Sequence, residues 1–219
     1  MECISFTLQH PSTMWLVSPS GGGKTSLVER IIDSCDNIYS KPIKTIVFVY
    51  AVFQPIYYRI QHKHPNVKFT KNLRDAESLV DGSSLLVIDD CLYSMNNGSK
   101  GEDVKLLTDW HTTLGHHMDT SLIVCLQNVY NKSMRTCSIN VHYMCIYRQP
   151  RDLSTIKMIS RQISPSHSKF LVDAYEKATE NGAGYSYIFI DLHPRSNQYK
   201  YFVRSNIFNS GSVRVFSPE

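Results

Sequence analysis

The sequence predicts an α/β fold with a mainly parallel central sheet flanked by helices. Three observations carry this. Short apolar runs alternate with stretches of helical spacing along most of the chain, as strands joined by crossover helices do. A glycine-rich turn links the first of these runs to the first helical stretch. The 219 residues are 42% hydrophobic and 19% charged, enough apolar material for one good-sized core and too much for a disordered chain.

The elements follow in order. Met14–Val17 reads as a strand, Lys24–Asp33 as a helix and Thr45–Tyr50 as a strand rich in β-branched residues. Pro55–His62 reads as a short helix and Val67–Thr70 as a weak strand. Leu85–Ile88 is an apolar strand ending in Asp89-Asp90. Val104, Leu107, Trp110/His111 and Leu114 recur at helical spacing, predicting a helix over about Asp103–His116. Leu122–Leu126 and His142–Tyr147 are further strands, and Leu153–Gln162 and His167–Glu180 are helices. Tyr185–Ile190 and Tyr199–Val203 read as a terminal strand pair around a turn at residues 193–197. Residues 1–209 are expected to form a single domain and residues 210–219 a C-terminal tail. The loop Ser94–Asp103 is the best candidate for a mobile segment.

Composition excludes some classes. The apolar runs are strand-sized, far from the roughly 18–20 residues of a membrane helix. The start, Met-Glu-Cys-Ile, lacks the features of a signal peptide. No membrane partner is expected. None of the six cysteines forms a C-x-x-C pair, and several sit in or beside apolar runs, which points to a reducing compartment, cytosol or nucleus. The net charge of +4 permits a polyanionic partner without arguing for one.

The strongest motif is Ser18-Pro19-Ser20-Gly21-Gly22-Gly23-Lys24-Thr25. It fits the phosphate-binding pattern G-x-x-x-x-G-K-[ST] with serine in place of the first glycine. Successive backbone N–H groups must face phosphate oxygens, so side chains there must be small, and the following helix lends its positive end. Ser20, Gly21, Gly22, Gly23, Lys24, Thr25 and Ser26 are therefore expected to bind nucleotide. Lys24 would reach the terminal phosphates, and the Thr25 hydroxyl would hold Mg²⁺. The plain alternative is a glycine-rich turn.

The strand Leu85–Ile88 delivers two acids at its tip. Asp89 is expected to hold Mg²⁺ through water, and Asp90 to polarise the attacking water, a role often filled by Glu. Acids at a strand tip also cap helices, which is the alternative. Gln127, at the end of Leu122–Leu126, could sense the γ-phosphate or serve as a turn residue. Charge on the transferring phosphoryl group calls for an arginine. Arg135 and Arg151 are the candidates, acting on a neighbouring subunit's nucleotide, and each could equally be an ordinary surface residue. Arg59–Arg74 holds Arg59, Lys63, Lys68, Lys71 and Arg74 with no acid between them. It could follow a phosphodiester backbone or form a solvated face. The histidines lack convincing metal-ligand partners.

Several segments together carry a resemblance. They are Gly21-Gly22-Gly23-Lys24-Thr25, Leu85–Asp90, His116-His117, Ser121–Asn128, Arg135-Thr136 to His142-Tyr143, Pro150-Arg151-Asp152, Gly184-Tyr185, Ile190-Asp191-Leu192 and Arg204-Ser205-Asn206-Ile207-Phe208. In this order they resemble the DNA-packaging ATPases of Polinton/Maverick elements, adintoviruses and poxvirus-type large DNA viruses, within the FtsK–HerA superfamily of P-loop motors. The resemblance runs over about residues 12–208. It implies a RecA-like P-loop NTPase core, ATP and Mg²⁺ as cofactors, and a homo-oligomeric ring, pentamer or hexamer. It also implies double-stranded DNA and a viral capsid or portal vertex as partners, in the host cytoplasm, the nucleus or the virion. It implies Lys24 and Thr25 on nucleotide and Mg²⁺, Asp89 on Mg²⁺, Asp90 as catalytic carboxylate, Gln127 as polar sensor, and Arg135 or Arg151 as the arginine acting in trans. Ser18 and the second aspartate, where the pattern usually has glycine and glutamate, are its departures. A nucleoside or nucleotide kinase, or a non-catalytic nucleotide-binding scaffold, are the alternatives. A kinase usually needs an arginine-rich lid, and none is visible.

Overall fold

The computed structural model describes residues 6–90, 102–129, 134–180, 185–196, 202–208 and 212–218. Its centre is a nine-stranded sheet in the order β3-β2-β4-β5-β1-β6-β7-β8-β9. The strands are β1 (Thr13–Val17), β2 (Thr45–Tyr50), β3 (Val67–Thr70), β4 (Ser84–Asp89), β5 (Thr120–Leu126), β6 (Tyr143–Tyr147), β7 (Tyr187–Asp191), β8 (Val203–Ser205) and β9 (Arg214–Phe216). The first six pair in parallel. The last three add antiparallel to the β6 edge. This is the mainly parallel, helix-flanked sheet that the alternation predicts.

Strands β1, β4, β5, β6 and β7 are mostly apolar and buried at every position because both faces are covered. Met14 and Leu16 face one layer with α1 (Lys24–Asp33) and α3 (Pro55–Lys63); α2 is the single turn Cys35–Ile38. Trp15 and Val17 face the other layer. That layer holds α4 (Ala76–Leu79), α5 (Glu102–Asp109), α7 (Arg135–Ile139), α8 (Leu153–Ile163) and α9 (Ser168–Thr179). The chain leaves central β1 for outlying β2, so the carboxyl ends of β1, β4 and β5 open a crevice of the kind that binds ligands in open parallel sheets.

The boundaries of α1, β2 and β3 coincide with those predicted. Three expectations are corrected. The helix over Asp103–His116 is not continuous: α5 gives way to a π-helical turn at Trp110–Leu114 before α6 (Gly115–His117). A regular helix turns adjacent residues about 100° apart, whereas Trp110 and His111 are both buried. The wider turn admits the pair. Gly115 is needed behind it, since a Cβ there would lie 2.8 Å from the Trp110 carbonyl oxygen. The expected tail contains β9, which pairs with β8 and packs Phe216 against the core. The strand expected at Tyr199–Val203 runs instead over Val203–Ser205, and Tyr199 and Tyr201 lie outside the described residues.

Cys35, Cys125, Cys137 and Cys145 are buried, free thiols. Among the described residues no helix is long and apolar enough to cross a membrane, and no group of three or more His, Cys, Asp or Glu could hold a metal ion.

His111 shows how the π turn is anchored. Its Nε2 accepts a hydrogen bond from the Trp15 indole N–H at 2.9 Å, and its Nδ1 donates to the Leu107 carbonyl at 2.8 Å. Both nitrogens are used by the neutral ring, and burial lowers the pKa from 6.5 to about 4. A depressed folded-state pKa stabilises fully above the unfolded value and loses that contribution as pH falls towards 4. We predict that urea-measured stability falls by about 1 kcal/mol per pH unit from this residue between pH 6 and 4.5. His111→Ala should cost about 3 kcal/mol at pH 7.5 and shed that share of the acid slope. An unchanged slope would contradict the assignment.

Candidate functional site

The site begins where β1 runs out. The backbone N–H of Ser18 donates to the Leu126 carbonyl at 3.0 Å, tying the start of the glycine loop to the end of β5. The loop then turns back into α1. Gly23, with φ at +91°, is the N-cap of that helix. A Cβ on it would lie 2.4 Å from a Tyr185 ring carbon. A Cβ on Gly22 would lie 2.4 Å from the Ser18 hydroxyl oxygen and 2.9 Å from its Cβ. Both glycines are therefore required by close approach, and Gly23 by its left-handed backbone as well. Ser18 is fully buried, and its hydroxyl donates to the Pro19 carbonyl at 2.8 Å.

Lys24 is buried and curls back over the loop. Its ammonium donates to the carbonyls of Ser18 at 3.0 Å and Pro19 at 3.2 Å, and reaches the Ser18 hydroxyl at 3.4 Å. These oxygens hold the charge over the loop. Phosphate oxygens are a stronger partner for the same ammonium.

Thr25 and Asp89 meet across the crevice. The Thr25 hydroxyl donates to Asp89 Oδ2 at 2.8 Å, and the Tyr57 phenol donates to the same oxygen at 3.0 Å. Burial raises the Asp89 pKa, Asp90 adds to the rise, and the hydrogen bonds from Thr25 and Tyr57 oppose it. Burial and the nearby carboxylate push the Tyr57 phenol pKa up, so it stays a donor. A carboxylate and a hydroxyl sharing one position are hard oxygen donors of the kind that suit Mg²⁺ with its retained waters.

Over the loop lies a cavity of about 350 Å³ lined by Ser20 to Ser26, Gln54, Pro55, Ile56, Asp90 and Tyr185. Asp90 has a left-handed backbone, φ +53°, and is exposed to this space. The predicted loop residues, Thr25, Asp89 and Asp90 are thus brought to one place. Gln127, Arg135 and Arg151 are not. All three are exposed and line none of this cavity: Gln127 follows β5, Arg135 opens α7, and Arg151 sits in the turn before α8. Tyr57 and Gln54 escape the sequence reading because neither belongs to a motif, and Tyr185 stands in the segment Gly184-Tyr185 without a role attached to it.

The basic run Arg59–Arg74 finds its acids on other helices. Arg59 makes a bidentate pair with Glu29 on α1 at 2.5 and 2.6 Å. This pairing holds the Glu29 carboxyl below its ordinary pKa. Lys63 lies 3.2 Å and His64 2.7 Å from Asp33, also on α1. Lys68 donates to the Leu79 carbonyl, and Arg74 pairs with Glu102. The pairs with α1 and α5 favour the solvated-face reading of this run over a free nucleic-acid track. Most of the loop Ser94–Asp103 lies outside the described residues.

No protein-family profile matches the chain, and no curated protein sequence matches it. Solved structures do. The genome-packaging NTPase B204 of Sulfolobus turreted icosahedral virus 2, in complex with sulfate, is 14% identical, with a TM-score of 0.56 over 95% of this chain and 97% of that one. The DNA-packaging ATPase B204 of Sulfolobus turreted icosahedral virus gives 14% and 0.55 over 95% and 98%. The cytoplasmic domain of the type VII secretion ATPase EccC of Thermomonospora curvata gives 12% and 0.55 over 94% of this chain, which spans 25% of that one. The chain shares with them the fold of a P-loop ATPase core, nearly end to end in the two viral cases.

The contact between Ser18 and Gly22 yields a prediction. Gly22→Ala should destabilise the protein, because Ser18 occupies the space. Ser18→Gly removes both clashing atoms. In the double-mutant cycle, urea unfolding should show a favourable coupling of about 1 kcal/mol or more. Strict additivity would mean that the loop relaxes around the added methyl.

Proposed function

We propose that the chain is an ATP-driven translocase that packages double-stranded DNA into a viral capsid, working as a homo-oligomeric ring. The observation that carries the ATPase part is the Thr25–Asp89 hydrogen bond at the foot of a glycine loop holding a buried lysine. Such an arrangement is what a nucleoside triphosphate and its Mg²⁺ require. The packaging part is supported by the likeness in fold to two viral packaging ATPases over nearly the whole of both chains.

The steps follow from the residues. The N–H groups of the loop and of the first turn of α1 receive the phosphates. Lys24 exchanges the Ser18 and Pro19 carbonyls for phosphate oxygens. Thr25 and Asp89 would hold the cation, the hydroxyl and carboxylate being hard oxygen donors. When bound, Mg²⁺ withdraws charge from the terminal phosphates. Asp90 orients a water in line with the γ-phosphorus and takes its proton as the bond forms. Gln127, exposed just past the end of the adjacent strand β5, is the candidate sensor of the terminal phosphate. Arg135 or Arg151, exposed on the surface, serves the neighbouring subunit's nucleotide and steadies the charge on the transferring group. DNA and a capsid or portal vertex are the partners, in the host cytoplasm or nucleus or within the virion.

Steady-state ATP hydrolysis with and without long double-stranded DNA tests this. Turnover should rise with DNA and vanish in Lys24→Ala. Asp90→Asn should keep ATP binding and lower kcat by roughly a hundredfold or more. Turnover indifferent to DNA would remove the translocase reading. Phosphate transfer to a nucleoside in place of hydrolysis would replace the proposal with a kinase.

A further inference from the structure

Beside the cavity over the glycine loop lies a second one of about 180 Å³. The two share Gly23, Ser26 and Tyr185 in their linings. The second cavity is otherwise walled by Leu27 and Arg30 on α1, Tyr147 at the end of β6 and Tyr187 at the start of β7. The Tyr147 and Tyr187 rings lie 5.3 Å apart, and both are buried. Both hydroxyls already have partners: Tyr147 faces the Gly23 carbonyl at 3.4 Å, and Tyr187 accepts the Phe208 N–H at 3.1 Å. These two side chains therefore present ring surface to the space. Tyr185 differs. It is 59% exposed, and its ring lies against Gly23 at the boundary of the two cavities.

The sheet order gives the site a direction. Asp89 and Asp90 are at the end of β4, on one side of β1; β6 and β7 are on the other. A triphosphate with its terminal group at the two aspartates runs along the loop past Thr25 and Ser26. Its other end then emerges on the β6 side, where the second cavity opens. A flat aromatic body with polar edges matches walls made of ring faces, an aliphatic side chain and the arginine Arg30.

We propose that this second cavity is the nucleobase subsite, with Tyr185 stacking on the base of a bound nucleoside triphosphate. The assignment rests on the nucleotide reading of the glycine loop. Tyr185 binds the base and takes no part in the chemistry. It therefore contributes to affinity for nucleotides and nothing to affinity for bare phosphate chains. That difference separates a binding role from a structural one.

The test is isothermal titration of the full chain with ATP and with inorganic tripolyphosphate, both with Mg²⁺. Tyr185→Ala should weaken ATP about tenfold, the usual scale for losing one base–aromatic stack. Tripolyphosphate affinity should change by less than about twofold, and Tyr185→Phe should keep wild-type ATP affinity. The exposure of Tyr185 makes the variants safe to fold, and circular dichroism verifies it. Unchanged ATP affinity in Tyr185→Ala, or an equal loss for both ligands, would overturn the subsite. Equal wild-type affinity for the two ligands would also overturn it while leaving the phosphate site standing. Failure of the wild type to bind either ligand would overturn the nucleotide reading and this inference together.

Discussion

A carboxylate held inside the protein is the constraint on which the rest depends. Asp89 ends a strand whose every residue is buried. An ionised carboxylate in such a place is unfavourable by several kcal/mol unless donors surround it. Two come from two different elements: Thr25 from α1 and Tyr57 from α3. Holding one acid thus fixes the end of β4 against the glycine loop and the helix after β2. The surplus of electron density that remains is what a hard cation would neutralise.

The salt bridges of the basic run serve the same end. Arg59 and Lys63 clamp α3 onto α1 through Glu29 and Asp33. Exposed pairs of this kind contribute little each, but a bidentate arginine has geometry that a single lysine lacks. Their effect is orientation. With α3 held, Tyr57 points into the crevice, and Gln54, Pro55 and Ile56 form the wall of the cavity opposite the loop. The charges that read as a nucleic-acid track in one dimension act between helices in three.

Much of this was legible from residue order because it is local or is imposed by burial on two faces. β1, α1, β2 and β4 are continuous apolar or amphipathic segments, and the glycine loop between the first two is a contiguous sequence pattern. What escaped depends on distant partners. The π turn follows from Trp15 needing His111, 96 residues away in sequence. β9 exists because β8 offers an open edge. Tyr57 stands within an ordinary helical pattern, and only the tertiary fold sets it beside Asp89. Gln127 follows from its place at a strand end, and Arg135 and Arg151 from the charge that a phosphoryl transfer must have neutralised. Neither argument brings a side chain into the cavity.

The claim at the centre of this account is that Thr25 and Asp89 together form the cation position of a nucleotide site. The most direct measurement is ATP affinity with Mg²⁺ and with a chelator, in the wild type, Thr25→Ala and Asp89→Asn. The account predicts that Mg²⁺ tightens ATP binding to the wild type. Both variants should lose that increment while keeping the affinity seen in chelator. A Mg²⁺ increment of wild-type size in both variants would contradict it and place the cation elsewhere.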